Sequence, residues 1–92
     1  MNDLIESNIT IINKLGLHAR AAAKLVGVAN KHACEIEIGL PEKMVNAKSI
    51  MSVMLLAASK GTQLNLRVRG ENAHQAHVDI CAIINNRFDE DE

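Results

Sequence analysis

The chain is nearly without aromatic side chains: Phe88 is the single one among 92 residues, with no tryptophan and no tyrosine. A core must therefore come from Ile, Leu, Val, Met and Ala, and apolar residues make up 48% of the sequence. The same scarcity excludes base stacking on aromatic platforms, the device of single-strand nucleic-acid binders. An excess of one charge is also lacking. Ten Lys and Arg stand against eleven Asp and Glu, a formal net charge of −1. Non-specific nucleic-acid binding needs a basic surface, so that class is excluded too. No apolar run approaches membrane-spanning length. The opening MNDLIES lacks the basic and apolar regions of a signal peptide, which makes a cytoplasmic address the expectation. The two cysteines, Cys34 and Cys81, then read as free thiols serving as small buried side chains.

What is present fits one domain over residues 1–92, expected to be monomeric. Residues 7–13 read as a first strand with Ile9 and Ile11 inward. Gly16 permits a tight turn. A helical pattern then runs from His18 to about Lys31, with Ala22, Leu25, Val26 and Ala29 on one face. Residues 34–38 alternate as a second strand, Cys34, Ile36 and Ile38 opposite Glu35 and Glu37. A turn at Leu40-Pro41-Glu42 leads to a short strand at about 43–47. Ser49 caps a helix predicted over 50–59, ending at Lys60-Gly61. A fourth strand over 62–69 alternates Leu64, Leu66 and Val68 against Asn65, Arg67 and Arg69. Asn72 with Gln75 resembles a capping box for a helix to about Asn86, burying Ala73, Ala76, Ile80, Ile83 and Ile84. The acidic ending Asp89 to Glu92 reads as a solvated tail.

The order is β-α-β-β-α-β-α, and every strand has one polar face. That pattern predicts an α+β fold, a two-layer open-faced sandwich whose antiparallel sheet is covered by three helices on one side. Glu35 and Glu37 would meet Arg67 and Arg69 on the bare side if strands two and four are neighbours.

Chemistry concentrates at Gly16-Leu17-His18-Ala19-Arg20. A histidine there opens a helix, where unpaired N–H groups and the helix dipole favour an anion. Neutral imidazole is a nucleophile near physiological pH. A phosphoryl group on His18 would sit beside the amides of Ala19 and Arg20, and the Arg20 guanidinium can add charge-assisted hydrogen bonds. A histidine at a helix start can also be a plain cap, and spacing alone leaves both readings open. Ser49 is an N-cap. Ile50, Met51 and Met54 cannot all bury with residues 53 and 57 on one narrow face, so some are expected outside as an adaptable apolar docking patch. His74, His77 and Cys81 fall at i, i+3 and i+7, a spacing that could hold a metal. His77 and Cys81 instead flank the buried stripe and His74 reads as exposed, so no metal and no cofactor is assigned. His32 reads as a surface residue.

Gly16-Leu17-His18-Ala19-Arg20-x-Ala22 is very similar to the active-site signature of the HPr family, the histidine phosphocarriers of the bacterial phosphotransferase system. Ala47-Lys48-Ser49-Ile50-Met51-Ser52-Val53-Met54 resembles the family's second signature, about 30 residues on. The resemblance covers essentially the whole chain. It implies strand order 1-4-2-3, phosphorylation of His18 at Nδ1, and Arg20 as anion partner. It implies enzyme I as donor, enzyme IIA-type proteins as acceptors, and a transfer component with no turnover of its own. At Ser49 it implies a regulatory phosphoserine wherever an HPr kinase is present. The family usually has Pro where this chain has Ala21, which predicts a looser turn and an extra amide near the phosphate. Ile11 to Gly16 and the ending Phe88 to Glu92 resemble the nitrogen-related branch, NPr, whereas Lys48 to Met54 resembles carriers under kinase control. A regulatory binding module, with His18 phosphorylation as its signal, is therefore the alternative to an HPr-type carrier.

Overall fold

Alternation with a period of two sets the sheet. The structure, a computed structural model, describes residues 3–92. The strands are β1 (Asp3–Thr10), β2 (Glu35–Leu40), β3 (Lys43–Asn46) and β4 (Gln63–Gly70). The helices are α1 (Ala19–Ala29), α2 (Ile50–Leu55) and α3 (Ala73–Asn85). All pairings are antiparallel, and the order is β1-β4-β2-β3, as the resemblance implied. In register, Ile9 faces Leu64, Ile36 faces Val68 and Ile38 faces Leu66. These residues bury against Leu25, Val53, Ile80 and Ile84 of the three helices in one cluster. Burying each such side chain contributes roughly 1.5–3 kcal/mol.

The bare face carries the expected charge pairing. Glu37 stands opposite Arg67 and Glu35 opposite Arg69. Arg67 lies between two carboxylates, 3.5 Å from Glu37 Oε1 and 3.5 Å from Glu6 Oε2. It therefore ties three strands together, although exposed pairs of this kind are worth little individually.

Three elements and one cap depart from expectation at an end or in their bonding. The first strand covers Asp3–Thr10 instead of 7–13, because β1 pairs with β4 along its length, Asp3 with Gly70 through Thr10 with Gln63. Ile11 stays fully buried but has left the ladder; its N–H bonds Thr62 O at 3.0 Å. Helix α1 ends at Ala29 instead of Lys31, where the Asn30 side chain bonds back to Val26 O. Helix α2 has six residues and ends before Ala57, which takes a left-handed φ of 49°. Asn72 adopts a left-handed φ of 59° and makes no side-chain cap bond, so the expected capping box does not form. Asn tolerates that conformation better than most residues, and it turns the chain out of β4 directly into α3.

Candidate functional site

His18 is the N-cap of α1. Its backbone is extended, with φ −73° and ψ 177°, and its Nδ1 accepts from the Arg20 N–H at 3.3 Å. The Ala19 and Ala21 amides of the same turn have no carbonyl one turn back inside the helix. An imidazole nitrogen thus faces a cluster of N–H groups. Ala21 is fully buried and helical, so the turn closes without the family's proline.

The loop before His18 is fixed by contact with the end of α2. Gly16 has φ +69°, and a Cβ there would lie 2.5 Å from Ala58 O. Only glycine meets both conditions. Leu17 N–H bonds the same Ala58 carbonyl at 2.8 Å. This seat explains the short α2: the left-handed Ala57 turns the Ala58 carbonyl toward the His18 loop.

The acidic tail corrects the sequence reading. It folds over the site instead of standing in solvent. Arg87, Phe88 and Asp89 form a single turn with positive φ values of 55°, 53° and 65°. Phe88 is fully buried there and anchors the turn. Asp89 bonds Lys24 Nζ at 3.1 Å, and Glu92 lies 3.5 Å from Lys14 Nζ. Glu90 reaches the catalytic histidine candidate: one carboxylate oxygen contacts His18 Nε2, and the other accepts from Asn13 Nδ2 at 3.0 Å. Asn13 is fully buried and also donates to Gly16 O at 2.8 Å. The Asn13 hydrogen bond, then the His18 contact, hold the Glu90 carboxyl below its ordinary range. Lys24 and Asn86 do the same for Asp89.

The tail also shapes a cleft lined by Lys14, Leu15, Arg20, Lys24, Phe88 and Glu90. Arg20 is exposed in it, free to meet an anion. Ser49 is the N-cap of α2, its Oγ accepting from Ser52 N–H at 3.4 Å. Ile50, Met51 and Met54 are exposed, while Val53 is buried. Leu55 of the same helix and Leu15 of the loop before His18 are each 68% exposed, and the sequence reading did not single them out. Helices α1 and α2 pack together, and the Leu17–Ala58 hydrogen bond sets the His18 loop beside the chain leaving α2.

Away from this region, His77 and His32 have structural partners. His77 Nε2 lies 2.8 Å from Ser7 Oγ and 3.6 Å from Cys81 Sγ, and His74 is exposed. Burial pushes the Cys81 thiol up, which keeps it protonated. His32 corrects its surface assignment: its side chain is 13% exposed and Nε2 sits 2.9 Å from Asp79 Oδ2, tying the end of α1 to α3.

Comparison with known proteins agrees with this geometry. A family model described as the PTS HPr component phosphorylation site matches residues 5–86. The phosphocarrier protein HPr of Pseudomonas aeruginosa is 59% identical over 85 residues, 91% of this chain and 94% of that protein. The phosphocarrier protein NPr of Shewanella violacea is 41% identical, over 94% of each chain. The crystal structure of an HPr from Thermoanaerobacter tengcongensis superposes with a TM-score of 0.90 at 39% identity, over 96% of this chain and 99% of that one. The chain belongs to the HPr family, the histidine phosphocarriers of the bacterial phosphotransferase system.

Proposed function

We propose that this protein is an HPr-type carrier that accepts a phosphoryl group on His18 Nδ1 from enzyme I and passes it to enzyme IIA-type acceptors in the cytoplasm. The observation that carries this reading is the different employment of the two ring nitrogens. Nε2 is taken up by the Glu90 carboxylate, while Nδ1 faces the Arg20 N–H at the start of α1. The amides and the Arg20 guanidinium supply donors for three phosphoryl oxygens. Ile50, Met51 and Met54, with Leu55, form the apolar surface on which successive partners dock. The protein moves the group and performs no turnover of its own. An HPr-named relative at 59% identity, against 41% for an NPr-named one, favours the HPr branch over a nitrogen-related signal module.

The test is phosphoenolpyruvate-dependent labelling with purified enzyme I. One acid-labile, base-stable phosphate is expected, and His18→Ala abolishes it. Label that persists in that variant, on His32, His74 or His77, contradicts the assignment.

A further inference from the structure

We infer that Glu90 is a positioning residue for phosphoryl transfer: aimed by Asn13, its carboxylate holds the proton on His18 Nε2 and leaves Nδ1 as a bare lone pair. The inference rests on the carrier reading above and adds a residue that lies outside both motifs.

Four observations converge on it. An ionised carboxylate only accepts hydrogen bonds, so the Glu90 contact requires an N–H at Nε2. The Arg20 N–H points at Nδ1 and requires a lone pair there. Both contacts therefore demand the same tautomer. Asn13, buried beneath the loop, commits its amide group to Gly16 O and Glu90 Oε1, which fixes the carboxylate relative to the His18 loop. Finally, the chain accepts three consecutive left-handed residues, none of them glycine, to bring Glu90 there. Such backbone persists only where surroundings over-determine it and is concentrated at functional sites. Phe88 burial and the Lys24–Asp89 and Lys14–Glu92 pairs supply those surroundings.

The step balances without any proton leaving the ring. The Nδ1 lone pair forms a bond to phosphorus as the bond from phosphorus to the donor atom breaks, its electron pair departing with the donor. The imidazole becomes a cation that keeps its Nε2 hydrogen, now facing the Glu90 charge. Passing the group on returns the P–N electron pair to Nδ1 and restores the starting tautomer. A carboxylate beside a histidine plays the same orienting part in hydrolytic triads.

The test uses the full-length protein and Glu90→Gln, with nitrogen NMR of the unphosphorylated His18 ring and labelling by potassium phosphoramidate. That small donor needs no docking, and its own P–N bond breaks as ammonia leaves. Wild type is expected in the Nε2–H form. In Glu90→Gln, whose neutral amide can donate or accept, a share of Nδ1–H is expected, with labelling of His18 slowed about tenfold. Glu90→Asp keeps a carboxylate and should recover part of the rate. An unchanged tautomer and rate in Glu90→Gln, or an Nδ1–H wild type, overturns the inference. Wild type that takes no label on His18 from enzyme I and phosphoenolpyruvate would instead overturn the carrier reading, and the tautomer spectra, which need no phosphoryl group, judge Glu90 separately.

Discussion

At the scale of single residues, Gly16 and Arg20 separate architecture from chemistry. Gly16 has both a left-handed backbone and no room for a Cβ, with Ala58 O 2.5 Å from where one would be. Gly16→Ala should cost roughly 2 kcal/mol or more, from backbone strain and the displaced contact. It should also slow transfer steeply, since a misplaced reacting group can cost about a hundredfold. Chemical denaturation and transfer kinetics check both; a fully stable, fully active variant contradicts the seat described. Arg20 is exposed and touches no core. Arg20→Ala should leave stability within about 0.5 kcal/mol and slow transfer tenfold or more, the scale of a lost charge-assisted bond. Arg20→Lys should recover only part of the rate, because ammonium offers no planar fork. Transfer kinetics that do not change in Arg20→Ala remove this side chain from the mechanism. The phosphoryl roles of His18 and Arg20 came from the family resemblance, since spacing alone left them open, but the placing of both at a helix start was legible at the junction of a glycine turn and a helical period. Glu90 was not. It is 72 residues from His18 in sequence, and no spacing rule connects them.

At the scale of elements, α2 and the tail each make a prediction. Ser49 caps the helix that carries the apolar patch. We propose that phosphorylation of Ser49 by an HPr kinase regulates docking. A phosphate adds roughly −1.5 to −2 charges, which the helix start tolerates. Burial of that group against enzyme I is costly, because it must lose its water. Phosphoserine should therefore weaken enzyme I binding while the melting temperature holds or rises. Unchanged affinity in a titration would leave Ser49 as a cap alone. For the tail, Asp89 and Glu90 both have carboxyls held below their ordinary range in the fold. A lowered folded value means that the tail's stabilisation is fully present above the ordinary carboxylate range of about 4. It is lost as pH falls through the lowered folded values. Thermal melting of wild type should thus decline more steeply below about pH 4 than that of an Asp89→Asn, Glu90→Gln variant; parallel curves contradict the docked tail. The tail read as solvated because four consecutive acidic residues carry no apolar period, and its left-handed turn uses Arg87, Phe88 and Asp89, none with a glycine signature. The early end of α2 escaped for the same reason, at Ala57.

At the scale of the whole molecule, the one-sided helix layer and charged bare face were legible because strand alternation writes the buried face directly into the chain, while the strand order came from the resemblance to the HPr family. Leu64, Leu66 and Val68 are 2% exposed or less, and the polar residues between them face outward. What periodicity does not encode is the closure of the molecule on itself, in which the only aromatic side chain, Phe88, pins the chain end across the start of α1. That closure joins the His18 motif and the tail into one site. No helix among the described residues is long and apolar enough to cross a membrane. The central claim is that the phosphoryl group resides on His18 Nδ1. Its most direct test is nitrogen–phosphorus NMR of protein labelled with nitrogen-15 at histidine, after phosphorylation by enzyme I and phosphoenolpyruvate. The account predicts phosphorus coupling at Nδ1 of His18 alone, with Nε2 still bearing hydrogen; coupling at Nε2 of His18, or on His32, His74 or His77, would contradict it.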